Sequence, residues 1–215
     1  QAVIADDSGE ARLKKSDWSA LQHMIDTTGD RATLTLTRDW KACDEDGPLH
    51  ISIVKNIEID LAGHTIDRNL SSSRGDGQIF TVQGVLTIKD SAGGGTMRGG
   101  FSEQGGGIYV DSGATFALED GTLTENRAKL GGGIFNNEGT VTMSGGAVSG
   151  NHADEDGGGI YATGGGASGD VAIKGGEVSS NSAGNNGGGV LLAGKSSLDL
   201  AGGAVTGNVA AYEAG

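Results

Sequence analysis

Apolar and polar residues alternate in short runs along most of this chain, and glycine cuts each run before it can lengthen. Phe116 and Leu118, Val141 and Met143, Val171 and Ile173, and Leu198 and Leu200 each stand two apart, the period that puts side chains on one face of a strand. A glycine turn and a closing phrase follow each pair: Leu123-Thr124-Glu125-Asn126, Val148-Ser149-Gly150-Asn151, Val178-Ser179-Ser180-Asn181 and Val205-Thr206-Gly207-Asn208. A glycine run precedes each pair: Gly105-Gly106-Gly107-Ile108, Gly131-Gly132-Gly133-Ile134, Gly157-Gly158-Gly159-Ile160 and Gly187-Gly188-Gly189-Val190, spaced 26, 26 and 30 residues apart. Weaker copies, Ile66-Asp67-Arg68-Asn69 and Met97-Arg98-Gly99-Gly100, carry the frame upstream.

A repeat of this length means stacked supersecondary units. Strands of three to five residues between Gly, Asn and Ser turns leave no room for a helix in each unit, which excludes ankyrin, tetratricopeptide and leucine-rich designs. What remains is a parallel β-helix, with equivalent residues of successive coils stacked about 4.8 Å apart. Asn126, Asn151, Asn181 and Asn208 then form an amide ladder, asparagine being tolerant of left-handed backbone.

The pairing of Gly-Gly-Gly-Ile with Val or Leu-x-x-Asn resembles the repeats of chlamydial polymorphic outer-membrane proteins, whose motifs are Gly-Gly-Ala-Ile and Phe-x-x-Asn. It is also similar to glycine-rich β-helix segments of large bacterial surface proteins, with the pectate-lyase-like superfamily behind them. The resemblance spans about Ile57 to Asn208. It departs from the motif at the third glycine, and at 123, 148, 178 and 205, where Val or Leu replaces Phe. It implies a right-handed parallel β-helix of about six to seven coils, and an adhesin-like surface role.

Outside the repeat, Ser16 or Asp17 offers a helix cap, Trp18, Leu21 and Ile25 share one face, and Gly29 supplies a stop. A helix there would cover the open end of the first coil. Residues 1–30 are thus the N-terminal segment with its capping helix, and 31–215 a single β-helix domain expected to continue beyond 215. Alternation begins at Leu34 and Leu36 and resumes at Ile51, Ile53, Ile57, Ile59 and Leu61.

Composition narrows the function. With 42 glycines and 4% aromatic residues in 215, the core has to be thin and aliphatic. A formal net charge of −13 argues against nucleic acid and anionic membrane surfaces, which reward Lys and Arg. No apolar run reaches the roughly 18 residues of a membrane span. Cys43 is the only cysteine, so no internal disulfide forms.

Candidate binding residues are of two kinds. Arg74-Gly75-Asp76 is the tripeptide that integrins recognise, a carboxylate completing a receptor metal site beside a guanidinium. Tyr109, Phe135 and Tyr161 recur 26 residues apart just after the glycine runs, so they stack on one line, either as corner packing or as a shallow strip for a glycan or a protein partner. Asp60, His64, Asp67 and Arg68 read as structural, because Leu61 and Ile66 alternate inward. Gly164-Gly165-Gly166-Ala167-Ser168-Gly169 has no helix after it and reads as a loop insertion, not a dinucleotide site. His152, Asp154, Glu155 and Asp156 lack calcium-loop spacing and read as a solvated run.

A polysaccharide lyase would need carboxylates gathered beside a base, and a glycosidase two facing carboxylates. Beyond Gly105 the outward strand positions are mainly Thr, Ser, Ala and Gly. The expectation is therefore a non-catalytic, adhesin-like or structural module of a secreted or cell-surface bacterial protein, without cofactor or metal. Its partners would be a host receptor, a glycan or neighbouring domains of a longer chain. A polysaccharide-active enzyme is the alternative.

Overall fold

The structure, a computed structural model, describes residues 3–5, 11–13, 17–70, 77–167 and 169–211. Its body is a parallel β-helix with four short strands in a turn. In the turn that opens at Ile108 these are Ile108–Val110, Thr115–Leu118, Thr122–Thr124 and Arg127–Leu130, here called the first to fourth faces. Six parallel strands stack on the first face, from Leu49–Ile51 to Val190–Gly194, giving about six turns. The second and third faces merge into one sheet, because Thr140–Ser149 and Asp170–Ser179 run straight through both.

Period-2 alternation sets the register. Ile57, Leu86, Phe116, Val141, Val171 and Leu198 pair in one inward row. All but Leu198 are buried. Each such side chain contributes roughly 1.5–3 kcal/mol relative to exposure, and a second inward row, Ile59, Ile88, Leu118, Met143 and Ile173, runs beside it. Ile53 breaks the expected alternation: it is 79% exposed, and Val54 beside it 85%. The strand ends at Ile51, and Lys55 N–H bonds Ser52 O at 2.8 Å, which makes Ser52 to Lys55 a turn instead of a strand.

The helix runs from Trp18 to Thr27 and buries Trp18, Leu21 and Ile25, the expected face. It packs against the first and third faces of the first turn and covers that end of the core. Its termini differ from the sequence reading. Asp17 sits at the N-cap without a side-chain cap bond, because its carboxylate reaches Arg38 Nη1 at 2.7 Å. The helix ends at Thr28, which is extended, so Gly29 supplies no left-handed stop. Upstream, 3–5 and 11–13 form a short antiparallel pair.

The asparagine ladder is present and buried. Asn126 Nδ2 donates to Asn151 Oδ1 at 3.0 Å, Asn151 Nδ2 to Asn181 Oδ1 at 3.0 Å, and Asn181 Nδ2 to Asn208 Oδ1 at 2.9 Å. Each of these Oδ1 atoms also accepts the main-chain N–H of the asparagine one turn earlier. Each Nδ2 donates in addition to the carbonyl of Met97, Leu123, Val148 or Val178 one turn earlier. In the ladder coils the left-handed residue is not the asparagine but the one before it, and Gly99, Glu125, Gly150, Ser180 and Gly207 have φ between 54° and 76°; in the first copy of the frame it is Asn69 itself, with φ 57°. The asparagine's own task is to fill buried donor and acceptor positions that a turn would otherwise leave unmet.

The glycine runs fit against this ladder. The first glycine of each run is left-handed, with φ of 61° to 70° at Gly105, Gly131, Gly157 and Gly187, which turns the fourth face into the first. The third lies over the ladder: a Cβ on Gly133 would stand 2.9 Å from Val148 Cγ1 and 3.2 Å from Asn151 Nδ2. Alanine does not fit there without displacement, which explains why this chain keeps glycine in that place.

Candidate functional site: a concave corner with an aromatic stack

At the glycine corner the outer surface is concave. A Cβ added to Gly157 would come within 2.8 Å of Tyr161 Cβ, four residues on. The corner thus runs along the solenoid as a trough between the fourth and first faces, with the aromatic residues on its first-face wall.

Tyr109, Phe135 and Tyr161 share one register and point outward, since Ile108, Val110, Ile134 and Ile160 point in. Their rings stack: centroids are 5.6 Å apart at 10° for Tyr109 and Phe135, and 5.2 Å at 5° for Phe135 and Tyr161. These separations slightly exceed the inter-strand distance and correspond to offset stacking. Phe135 is only 4% exposed, so its faces are covered by its neighbours. The strip is therefore not a row of open platforms. Free ring faces remain only at its ends, where Tyr161 meets Leu191 and Tyr109 meets Thr81 in the next strands.

Thr81 is small, and there the trough opens into a groove of about 410 Å³. It is lined by Thr81 and Tyr109 from first-face strands, by Ser102, Glu103 and Gln104 from a fourth-face strand, and by Pro48, Gly77 and Gln78, which stand before first-face strands. Gln78 Nε2 donates to Thr81 Oγ1 at 2.6 Å. Ser102 Oγ donates to the carbonyls of Gln104 and Gly105. Burial chiefly, and then the Asp111 carboxylate, push the Tyr109 hydroxyl above its ordinary pKa, opposed by a hydrogen bond with Asn137. Tyr161 is raised in the same way by burial and Asp156.

Behind the groove lies Arg68, 1% exposed. Its guanidinium donates to Asp46 O and to Gln78 O and stands 5.9 Å from the centre of the Trp18 ring. Nη1 has no hydrogen-bond partner. Burial lowers its pKa, opposed by Asp46. One side chain thereby ties the helix, the 44–48 loop and the groove lining at Gln78 together.

The acidic residues are engaged singly. Glu58 is held below the ordinary carboxylate range by hydrogen bonds from Lys89 and Thr33. Burial opposes ionisation of Asp60, yet main-chain N–H groups of Ser91 and Ala62 keep its pKa low. Asp154 pairs with Arg127 at 2.7 Å, Glu155 with Lys129 at 3.4 Å, and Asp156 with Asn186. Asp154, Glu155 and Asp156 are thus split among separate partners. Among the described residues no group of three or more His, Cys, Asp or Glu is placed to hold a metal ion.

One constellation escaped the sequence reading. His152 Nδ1 lies 2.8 Å from Ser182 Oγ and its Nε2 3.2 Å from Asp154 Oδ1, a Ser-His-Asp chain in outline. Its signal was the 30-residue repeat that separates 152 from 182. Chemically it lacks a partner: the Ser182 N–H is spent on Asn151 O within the sheet, and no donor pair stands ready for an oxyanion. Arg74, Gly75 and Asp76 lie outside the described residues.

Comparison with known proteins finds no matching family model, no similar curated protein and no similar solved structure. Fold and site together define the class, an all-β parallel solenoid of about six turns with one short helix near its N-terminal end. Of the resemblance in the repeat motifs, the solenoid architecture is what the structure displays.

Proposed function

We propose that this chain is a non-catalytic, adhesin-like presentation module of a secreted or cell-surface bacterial protein, and that the glycine corner is its ligand-facing strip. The observation that carries this reading is the outward aromatic stack on a concave edge, ending in a groove lined by both aromatic and polar groups. Sites that bind small ligands combine such surfaces. A ladder-locked solenoid holds them at fixed spacing, which suits display. Support for a non-catalytic role comes from Glu58, Asp60, Asp90, Asp154 and Glu155, which are committed to cations or to main-chain N–H groups.

The test is a glycan-array and polysaccharide-depolymerisation screen on the protein, with and without calcium. Retention of one glycan class with polymer length unchanged is expected. Chain cleavage would replace this reading with that of a polysaccharide-active enzyme.

A further inference from the structure

We infer that the groove at Tyr109 is a saccharide subsite that takes a single terminal, uncharged pyranose ring. The inference rests on the glycan-facing reading above and narrows it in three respects.

The first is number. Stacking against a sugar's C–H face needs an open ring face, and Phe135 has none, being sandwiched at 5.6 and 5.2 Å. Leu191 covers the register position beyond Tyr161. Among the three rings Tyr109 turns a face toward a small neighbour, Thr81, and a groove lies beside it there. One ring has a platform, so a polymer cannot be laid along the stack sugar by sugar.

The second is position. Pro48 stands just before Leu49, one turn before Thr81 on the side away from Tyr109, so the groove runs between Tyr109 and Pro48 and a ring seated against Tyr109 has Pro48 facing it along the solenoid. That favours the end of a glycan over its middle.

The third is charge. Glu103 and Gln104 stand exposed on the facing wall, and among the described residues the groove lining contains no Lys, Arg or His. A carboxylate and two carboxamides, those of Gln78 and Gln104, match hydroxyl groups as acceptors and donors. The Glu103 carboxylate stands on the exposed wall, while the Arg68 guanidinium is buried behind Gly77 and spent on Asp46 O and Gln78 O, so on a chain of net charge −13 the exposed side of the groove disfavours a uronate.

The experiment is a titration of the intact protein with methyl hexopyranosides and with the methyl glycoside of glucuronic acid, followed through the Tyr109 ring and the Gln78 and Gln104 amide signals by NMR. Tyr109→Leu is the informative variant, since Leu191 shows that this register accepts leucine against an aromatic neighbour; circular dichroism verifies its fold. At least one neutral hexoside is expected to shift all three signals saturably, with at least tenfold weaker binding in Tyr109→Leu. Tyr161→Leu should bind as the parent does, and glucuronate at least tenfold more weakly than the neutral sugar. Three results would overturn the inference: no shift with any neutral hexoside at tens of millimolar, shifts that survive Tyr109→Leu, or glucuronate binding as well as the neutral sugar. Glycan retention on the array combined with any of these would leave the display reading standing and remove this site; polymer cleavage would remove the display reading itself.

Discussion

The coils from Gly105 to Asn208 and the first turns before them are built from the same strands but held together differently. In the repeated coils each contact recurs: asparagine on asparagine, glycine over asparagine, ring on ring. In the first turns the contacts occur once. Arg68 spans three elements, Asp60 and Asp90 bind main-chain N–H groups at Ala62, Ser91, Gly63 and Gly95, and Trp18 Nε1 donates to Gly47 O. A coil bounded by like coils can reuse its neighbour's solution, whereas the end that meets a helix requires its own. The groove lies where the two regimes meet, between Tyr109 of the stack and the Pro48 to Thr81 region.

Substitutions should separate the regimes. The largest loss is expected from Asn151→Ala, which strips partners from the Asn126 N–H and Nδ2 and from Leu123 O, all buried. At about 1–3 kcal/mol for each unmet group, partly relieved by relaxation, urea unfolding should register a loss of about 4 kcal/mol. Arg68→Ala comes next at about 3 kcal/mol, through lost bonds to Asp46 O and Gln78 O and lost packing on Trp18. Its mark is regional, with amide exchange rising in the helix and the 44–48 loop more than in the coils after Gly131. Gly133→Ala should cost about 2 kcal/mol by overpacking against Val148 and Asn151. A cost near zero would show that the third glycine is not held by the ladder.

The smallest effect concerns a variation within the repeat. The longer 157–187 unit carries an extra loop, and Glu138 accepts the N–H groups of Gly165 and Gly166 at 2.7 Å each. The main-chain N–H groups of Gly166, Gly165 and Ala167, in that order, hold its carboxyl below the ordinary glutamate range. Because the folded pKa is the lower one, the latch contributes fully above the ordinary glutamate value and is lost as pH falls through the folded value. The Gly165 and Gly166 amide proton shifts should titrate below the ordinary glutamate range, and Glu138→Gln should abolish that titration.

Much of this was legible from residue order. Alternation and spacing give the parallel solenoid, the ladder and the ring stack, because a repeat states its own register. The helix face was legible from Trp18, Leu21 and Ile25. What escaped was either local backbone geometry or contact over long distances in the chain. Ile53 alternates like a strand residue, but Ser52 to Lys55 is a turn. Asp17 has cap chemistry yet binds Arg38, 21 residues away. The position before each ladder asparagine takes the left-handed conformation whether it is Gly, Glu or Ser, so residue type alone does not mark it. The groove was hidden because it needs Pro48, Gln78, Gln104 and Tyr109 from different turns.

The ladder is the central claim, since it seats the glycine corner on which the ring stack and the groove depend. Urea unfolding of Asn151→Asp against the parent from pH 4 to pH 8 tests it most directly. A protonated carboxyl keeps the acceptor but only one of the amide's two donors, so either Leu123 O or Asn181 Oδ1 loses its donor; an ionised one donates to neither and places a buried charge beside both. Burial raises the folded pKa above the unfolded value of about 3.9, so the deficit relative to the parent should be smallest near pH 4 and grow as pH rises through the folded pKa. A deficit that is absent, or equal at both ends of the range, would contradict the ladder as the element that locks these coils in register.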